Sequence, residues 1–167
     1  VGISMGAGAV TIAFEQEPQL QSIFLESPFS SMGTIIHEEL EFAGFPPFLK
    51  NAAIFAGKVS SGDDLVKYEP INAMAEVGNR SVFITQSLED IRINIHHGES
   101  MCEAAQAGVN EDGFVDCWFE SSGVAHNDRD REGILSHITL MITQPDEYRD
   151  RMVSFFENSI GKPDAVV

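Results

Sequence analysis

Apolar and polar positions along this chain fall into blocks of two kinds. Short apolar runs rich in β-branched and aromatic residues occur at Ser22 to Glu26, at Ser81-Val82-Phe83-Ile84-Thr85 and at Phe114 to Phe119, and each reads as a buried strand. Ser27-Pro28 terminates the first of them, because proline cannot donate to a ladder. Between the runs the spacing turns helical. Ala7 to Phe14 is a small, apolar, helix-compatible stretch, and Ile35, Ile36, Leu40 and Phe42 mark an amphipathic helix that Pro46-Pro47 breaks and that resumes from Leu49 to Ala56. A short helix follows Pro70-Ile71 and ends near Gly78, and residues 95–107 carry Met101, Cys102, Ala104 and Ala105 at helical spacing before Gly108. A charged run from Asn127 to Glu132 precedes an apolar stretch from Ile134 to Ile142. The last helix opens at Pro145, where Asp146 and Glu147 suit the free N–H groups, and places Tyr148, Met152, Phe155 and Phe156 on one face. Strands alternating with helices predict an α/β parallel sheet flanked by helices, with ligands gathered at the strands' carboxyl ends. The aromatic-rich helical pieces of 32–67 suit a cap or pocket wall.

Composition narrows the partners. The 167 residues hold 10 Lys+Arg against 26 Asp+Glu, a formal net charge of -16, with 43% apolar residues and 12 Phe. That is enough apolar area for a core in one domain, or part of one, and wholesale disorder is excluded. The negative charge repels phosphate backbones and anionic headgroups, and there is no basic patch, so neither nucleic acid nor a membrane surface is expected as a partner. No apolar run reaches the roughly 18 residues of a membrane span, and no basic segment followed by an apolar stretch marks an export signal. A cytoplasmic location is the resulting expectation. Cys102 and Cys117 are too few for a disulfide framework and lack metal-type spacing, so both are expected as buried free thiols and no metal is expected.

Candidate chemistry begins at Gly2-x-Ser4-x-Gly6. A serine between two small residues on a tight strand-to-helix turn projects its hydroxyl over the sheet, and the Met5 backbone N–H then points where an oxyanion would form. A serine hydroxyl is unreactive at neutral pH without a base, and the base needs an orienting carboxylate. Asp90 lies just past the Ser81 to Thr85 strand and is the candidate acid, with its neighbour Glu89 second in line. Of five histidines, His37 falls in the 32–67 segment and His96 and His97 open a helix, which makes them surface or packing residues. His126, directly after the third strand, and His137, before Ile138-Thr139-Leu140-Met141, are left as candidate bases.

Together these residues resemble the alpha/beta-hydrolase superfamily, in its serine esterase and peptidase-like branch. The resemblance is carried by the Gly2 to Gly6 elbow, Leu25-Glu26-Ser27-Pro28-Phe29, Tyr68-x-Pro70-Ile71, Glu89-Asp90-x-Arg92-Ile93-x-x-His96, and Pro145-Asp146-Glu147-Tyr148 with Phe155-Phe156. It implies a serine hydrolase acting on a small-molecule ester or related acyl substrate through Ser4, His137 and Asp90, without a cofactor. The interval from His137 to Pro145 favours His137 over His126. The resemblance also implies that the chain is the C-terminal half of the fold, beginning at the nucleophile elbow, with a missing N-terminal half as its partner and 32–67 as a helical cap insertion. The implied alternative is a non-catalytic member that binds or scaffolds.

Overall fold

The two central strands form because their sequences supply two apolar faces at once, as a sheet covered on both sides requires. A computed structural model describes residues 1–64, 66–67, 69–124 and 136–160. Four strands, β1 (Gly2–Ile3), β2 (Ser22–Glu26), β3 (Ser81–Ser87) and β4 (Val115–Glu120), lie side by side in that order, and every neighbouring pair is parallel. Alternate residues face opposite ways. Ile23, Leu25, Val82 and Ile84 point to one side, onto α1 (Met5–Gln16), α4 (Pro70–Met74) and α5 (Ile95–Gly108), where Ala7, Phe14, Met74, Val77, Met101 and Ala105 complete one core. Phe24, Phe83 and Trp118 point to the other side, where Leu140 of the short α6 (Leu140–Thr143) and Tyr148 and Phe155 of α7 (Pro145–Ile160) cover them. Phe24 and Phe83 stack with centroids 4.7 Å apart, and Phe155 meets both edge-on. Truncating an aromatic ring in such a core costs about 3–5 kcal/mol.

A third, smaller cluster of Phe29, Ile35 and Ile93 joins the sheet's carboxyl end to α2 (Met32–Phe42), which packs on a 3₁₀ turn (Pro47–Leu49) and α3 (Lys50–Ser61). Ser31 caps α2 by accepting the Thr34 N–H, and Gly62, with φ +76°, ends α3.

One expectation needs correction. Cys102 of α5 and Cys117 of β4 are joined in a disulfide, Cα atoms 6.3 Å apart, rather than standing as free thiols. The pairing follows from α5 packing back on β4, a contact that residue spacing does not reveal. With a sequence separation of 15, the bond contributes about 3 kcal/mol by chain entropy. The apolar stretch from Ile134 to Ile142 supplies only the single turn of α6 among its described residues, because Leu140 alone turns into the core while Met141 and Ile142 are exposed.

Candidate active site

The first strand leads into α1 through one residue, and that residue is Ser4. Its backbone sits at φ 53°, ψ -122°, a conformation costly for any side chain bearing a Cβ. Gly2 permits the turn, since a Cβ there would lie 2.7 Å from both the Ala7 Cα and the Gly6 carbonyl oxygen. Gly6 does not carry the same burden. No atom of the described chain comes within 4 Å of a Cβ built on it, whereas one on Gly8 would strike the Phe29 ring at 2.4 Å. The close approach of helix to strand therefore depends on Gly2, Gly8 leaves room for the Phe29 ring against α1, and nothing in the described chain crowds Gly6.

A serine before a helix ordinarily caps it, but Ser4 makes no such bond. The left-handed backbone turns its hydroxyl elsewhere, to His137 Nε2 at 2.9 Å. On the other side of the ring, His137 Nδ1 lies 2.8 Å from Asp90 Oδ2. The structure thus brings Ser4, His137 and Asp90 together from three segments: the β1–α1 turn, the segment before α6 and the loop after β3. His137 keeps 9% of its side-chain exposure and the Asp90 side chain has none. Met5, the first residue of α1, offers one of the helix's free N–H groups beside Ser4. The other candidate base, His126, lies outside the described residues.

Asp90 is held rigidly. Its Oδ1 accepts from the Arg92 N–H at 2.9 Å and the Ile93 N–H at 3.0 Å, which leaves Oδ2 for the imidazole. Behind it, buried Gln86 at the end of β3 donates through Nε2 to the Ile93 carbonyl and reaches Asp90 Oδ2 at 3.4 Å. Residue-by-residue reading missed Gln86. Its signal was a polar tail, Thr85-Gln86-Ser87, on an otherwise apolar strand.

Glu89, second in line as the acid, is engaged elsewhere. It accepts from the Ser87, Ser121 and Ser122 hydroxyls and from the Ser122 N–H at 2.8 Å, tying the acid loop to the end of β4. Burial pushes its carboxyl up, but these hydrogen bonds outweigh burial and hold it at about 2 against an ordinary 4.5. A depressed folded-state value means that this anchor is fully stabilising above about pH 4.5 and is lost as the pH falls toward 2. Thermal melts should accordingly show Glu89→Gln less stable than the parent at neutral pH, with the gap closing between pH 4.5 and 2.

A second serine, histidine and carboxylate also meet. Ser30 Oγ is 2.7 Å from His97 Nδ1, and His97 Nε2 is 3.0 Å from Glu38 Oε2, with His96 Nε2 3.3 Å from Glu38 Oε1. The Ser30 backbone N–H points at the same Nδ1 from 3.1 Å. An N–H can only donate, so Nδ1 accepts and Nε2 of the neutral ring carries the proton. That proton goes to Glu38 and occupies the position a metal would need. Burial, its largest influence, pushes the His97 imidazole down, against the pull of Glu38. The arrangement clamps α2 to α5, and neither His96 nor His97 reaches Ser4. His37 is elsewhere on α2, beside Glu41.

Above Ser4 opens a cavity of about 470 Å³. Its wall is largely apolar, including Phe29, Met32, Ile35, Leu40, Phe45 and Ile93, and Ser4 and Met5 also line it. Its two charged residues, Arg92 and Glu39, pair with each other at 2.9 Å.

No protein-family model matches the chain, and no curated protein does. Solved structures do. An esterase of Pyrococcus furiosus superposes with a TM-score of 0.64 at 15% identity, over 96% of this chain and 52% of that one. An acylaminoacyl peptidase of Pyrococcus horikoshii does so with a TM-score of 0.57 at 14% identity, over 99% of this chain and 25% of that one. The chain therefore spans about half the length of the esterase it matches. With the parallel four-stranded sheet and its two helical layers, this similarity gives the chain the alpha/beta-hydrolase fold.

Proposed function

We propose that this chain carries the hydrolytic machinery of a serine hydrolase that cleaves a carboxylic ester through an acyl-enzyme intermediate. The observation that carries the reading is the unbroken chain of contacts from Ser4 Oγ to His137 Nε2, and from His137 Nδ1 to Asp90 Oδ2. Ser4 Oγ attacks the carbonyl carbon as its proton passes to His137 Nε2, and the carbonyl oxygen gathers negative charge beside the Met5 N–H. The imidazolium then gives its proton to the departing alkoxide. Water repeats the sequence on the acyl-enzyme and frees the acid. No cofactor enters these steps.

The cavity supports an assignment of the two halves of the substrate. A leaving group must lie within reach of His137, yet the cavity is lined by Ser4 and Met5 and not by His137. The acyl group therefore occupies the cavity, and the segment 32–67 forms its cap. Against a series of p-nitrophenyl esters, kcat/KM should rise from acetate to medium-length acyl chains. Ala53→Phe, which narrows the wall, should lower the octanoate-to-acetate ratio about tenfold, as removal of one or two methylene-sized contacts does. An unchanged ratio would place the acyl group elsewhere.

No helix among the described residues is long and apolar enough to cross a membrane. The expectation of a cytoplasmic location meets an opposing observation in the Cys102–Cys117 disulfide, because such bonds persist chiefly in oxidising compartments. We favour an oxidising compartment on that ground.

A further inference from the structure

Glu26, the last residue of β2, is 1% exposed. Burying a carboxyl is costly unless its oxygens are satisfied. Tyr148 donates its hydroxyl to Oε2 at 2.7 Å, while the buried Oε1 has no hydrogen-bond partner among the described residues. The position is tied directly to the nucleophile. Glu26 pairs with Ile3 across the sheet, its carbonyl accepts the Ser4 N–H at 2.9 Å, and its neighbour Ser27 is held at φ 47°. Its side chain shares the sheet face of Phe24, where Leu140, three residues after His137, also packs.

We propose that Glu26 is a positioning residue of the hydrolytic site, a buried counter-charge that favours the His137 imidazolium formed when Ser4 gives up its proton. The proposal rests on the reading of Ser4, His137 and Asp90 given above. Among the described residues three titratable groups act on Glu26: Tyr148 from α7, His137 from the segment before α6, and Asp90 from the loop after β3. Burial pushes the Glu26 carboxyl up most strongly, the Tyr148 hydrogen bond and then His137 pull it down, and Asp90 pushes it up. Burial and Glu26 both push the Tyr148 phenol up, so Tyr148 remains a donor throughout the working range. The same interaction acts in both directions: a carboxylate at Glu26 makes a proton on His137 more favourable. Asp90 meets the ring at Nδ1 through a hydrogen bond, whereas Glu26 acts through its field. No proton passes to or from Glu26 in this role.

The test uses Glu26→Gln, which keeps the shape and removes the charge, in the purified full-length protein. Two quantities are read: the pH dependence of kcat/KM for p-nitrophenyl butyrate, and the titration of the His137 imidazole by NMR. The acid limb and the NMR midpoint should both move to lower pH by roughly 0.5–1 unit, the range of a nearby but not contacting charge. The value of kcat should fall while KM holds. Glu26→Asp should restore most of the shift, and Tyr148→Phe, which removes the hydroxyl favouring the carboxylate, should move both midpoints in the same direction as Glu26→Gln by a smaller amount. Should Glu26→Gln fail to fold, Tyr148→Phe supplies the decision. A lowered melting temperature with both midpoints unmoved would assign Glu26 to structure alone and overturn the proposal. Failure of the underlying reading looks different: a fluorophosphonate leaves Ser4 of the parent protein unlabelled, while the NMR titration still reports whether Glu26 acts on His137.

Discussion

Replacing Ser4 by alanine is expected to abolish ester turnover, with a loss on the order of 10⁶ in kcat as for the nucleophile of a comparable triad, while the fold persists. The structure gives reasons for both halves of that expectation. Ser4 Oγ makes its described contact with His137 Nε2 and no capping bond to α1, so removing it deprives the helix of nothing. Alanine keeps the Cβ, and with it the backbone strain at φ 53°, so the turn neither relaxes nor worsens. Melting temperature should change little, and circular dichroism together with a p-nitrophenyl ester assay separates the two effects.

The second large effect is expected from Asp90→Asn, with a loss on the order of 10⁴ in kcat. The hydrogen bonds around Asp90 dictate how asparagine would sit. Oδ1 accepts from the Arg92 and Ile93 N–H groups, so the amide oxygen must remain there. The amide NH₂ then faces His137 Nδ1 in the place of Oδ2. A donor at that position makes Nδ1 an acceptor and moves the ring proton to Nε2, where it blocks transfer from Ser4. Steady-state kinetics should show the loss mainly in kcat. Glu89→Gln, one residue away, should leave kcat at neutral pH within a few fold, because Glu89 holds the loop to Ser121 and Ser122 without touching the imidazole. A reversal of these two outcomes would mean that the acid is Glu89.

Much of this fold was legible in the sequence because two periodicities are strong in it. The β2 and β3 segments alternate between two apolar faces, so Phe24 and Phe83 stack on one side while Leu25 and Ile84 pack on the other. Asp90 stood out because it follows a buried strand, where loops gather at a parallel sheet's active end. Other features depend on which elements pack together, and spacing along the chain carries no such information. Cys102 and Cys117 meet only because α5 lies against β4. Gly6 shares the elbow pattern with Gly2, yet only the packing distinguishes the glycine that touches the helix backbone from the one that faces outward. Along the chain Glu26 is only the polar end of a strand, and it is the fold that brings Tyr148, 122 positions later, to bond it. The helix breaks around Pro46-Pro47 were readable, but the pocket formed by Ile35, Leu40 and Phe45 over Ser4 required the third dimension.

Covalent trapping of the nucleophile tests the central claim most directly. A fluorophosphonate reacts with a serine only when a base activates it, and peptide mass spectrometry identifies the residue modified. In the folded full-length protein, one equivalent of probe should add to Ser4, and His137→Ala should suppress the reaction. Ser30 should stay unmodified, since it is buried against an imidazole nitrogen that its own backbone N–H already engages. An unlabelled Ser4 in folded protein, or labelling of Ser4 that is indifferent to His137→Ala, would contradict the hydrolase reading.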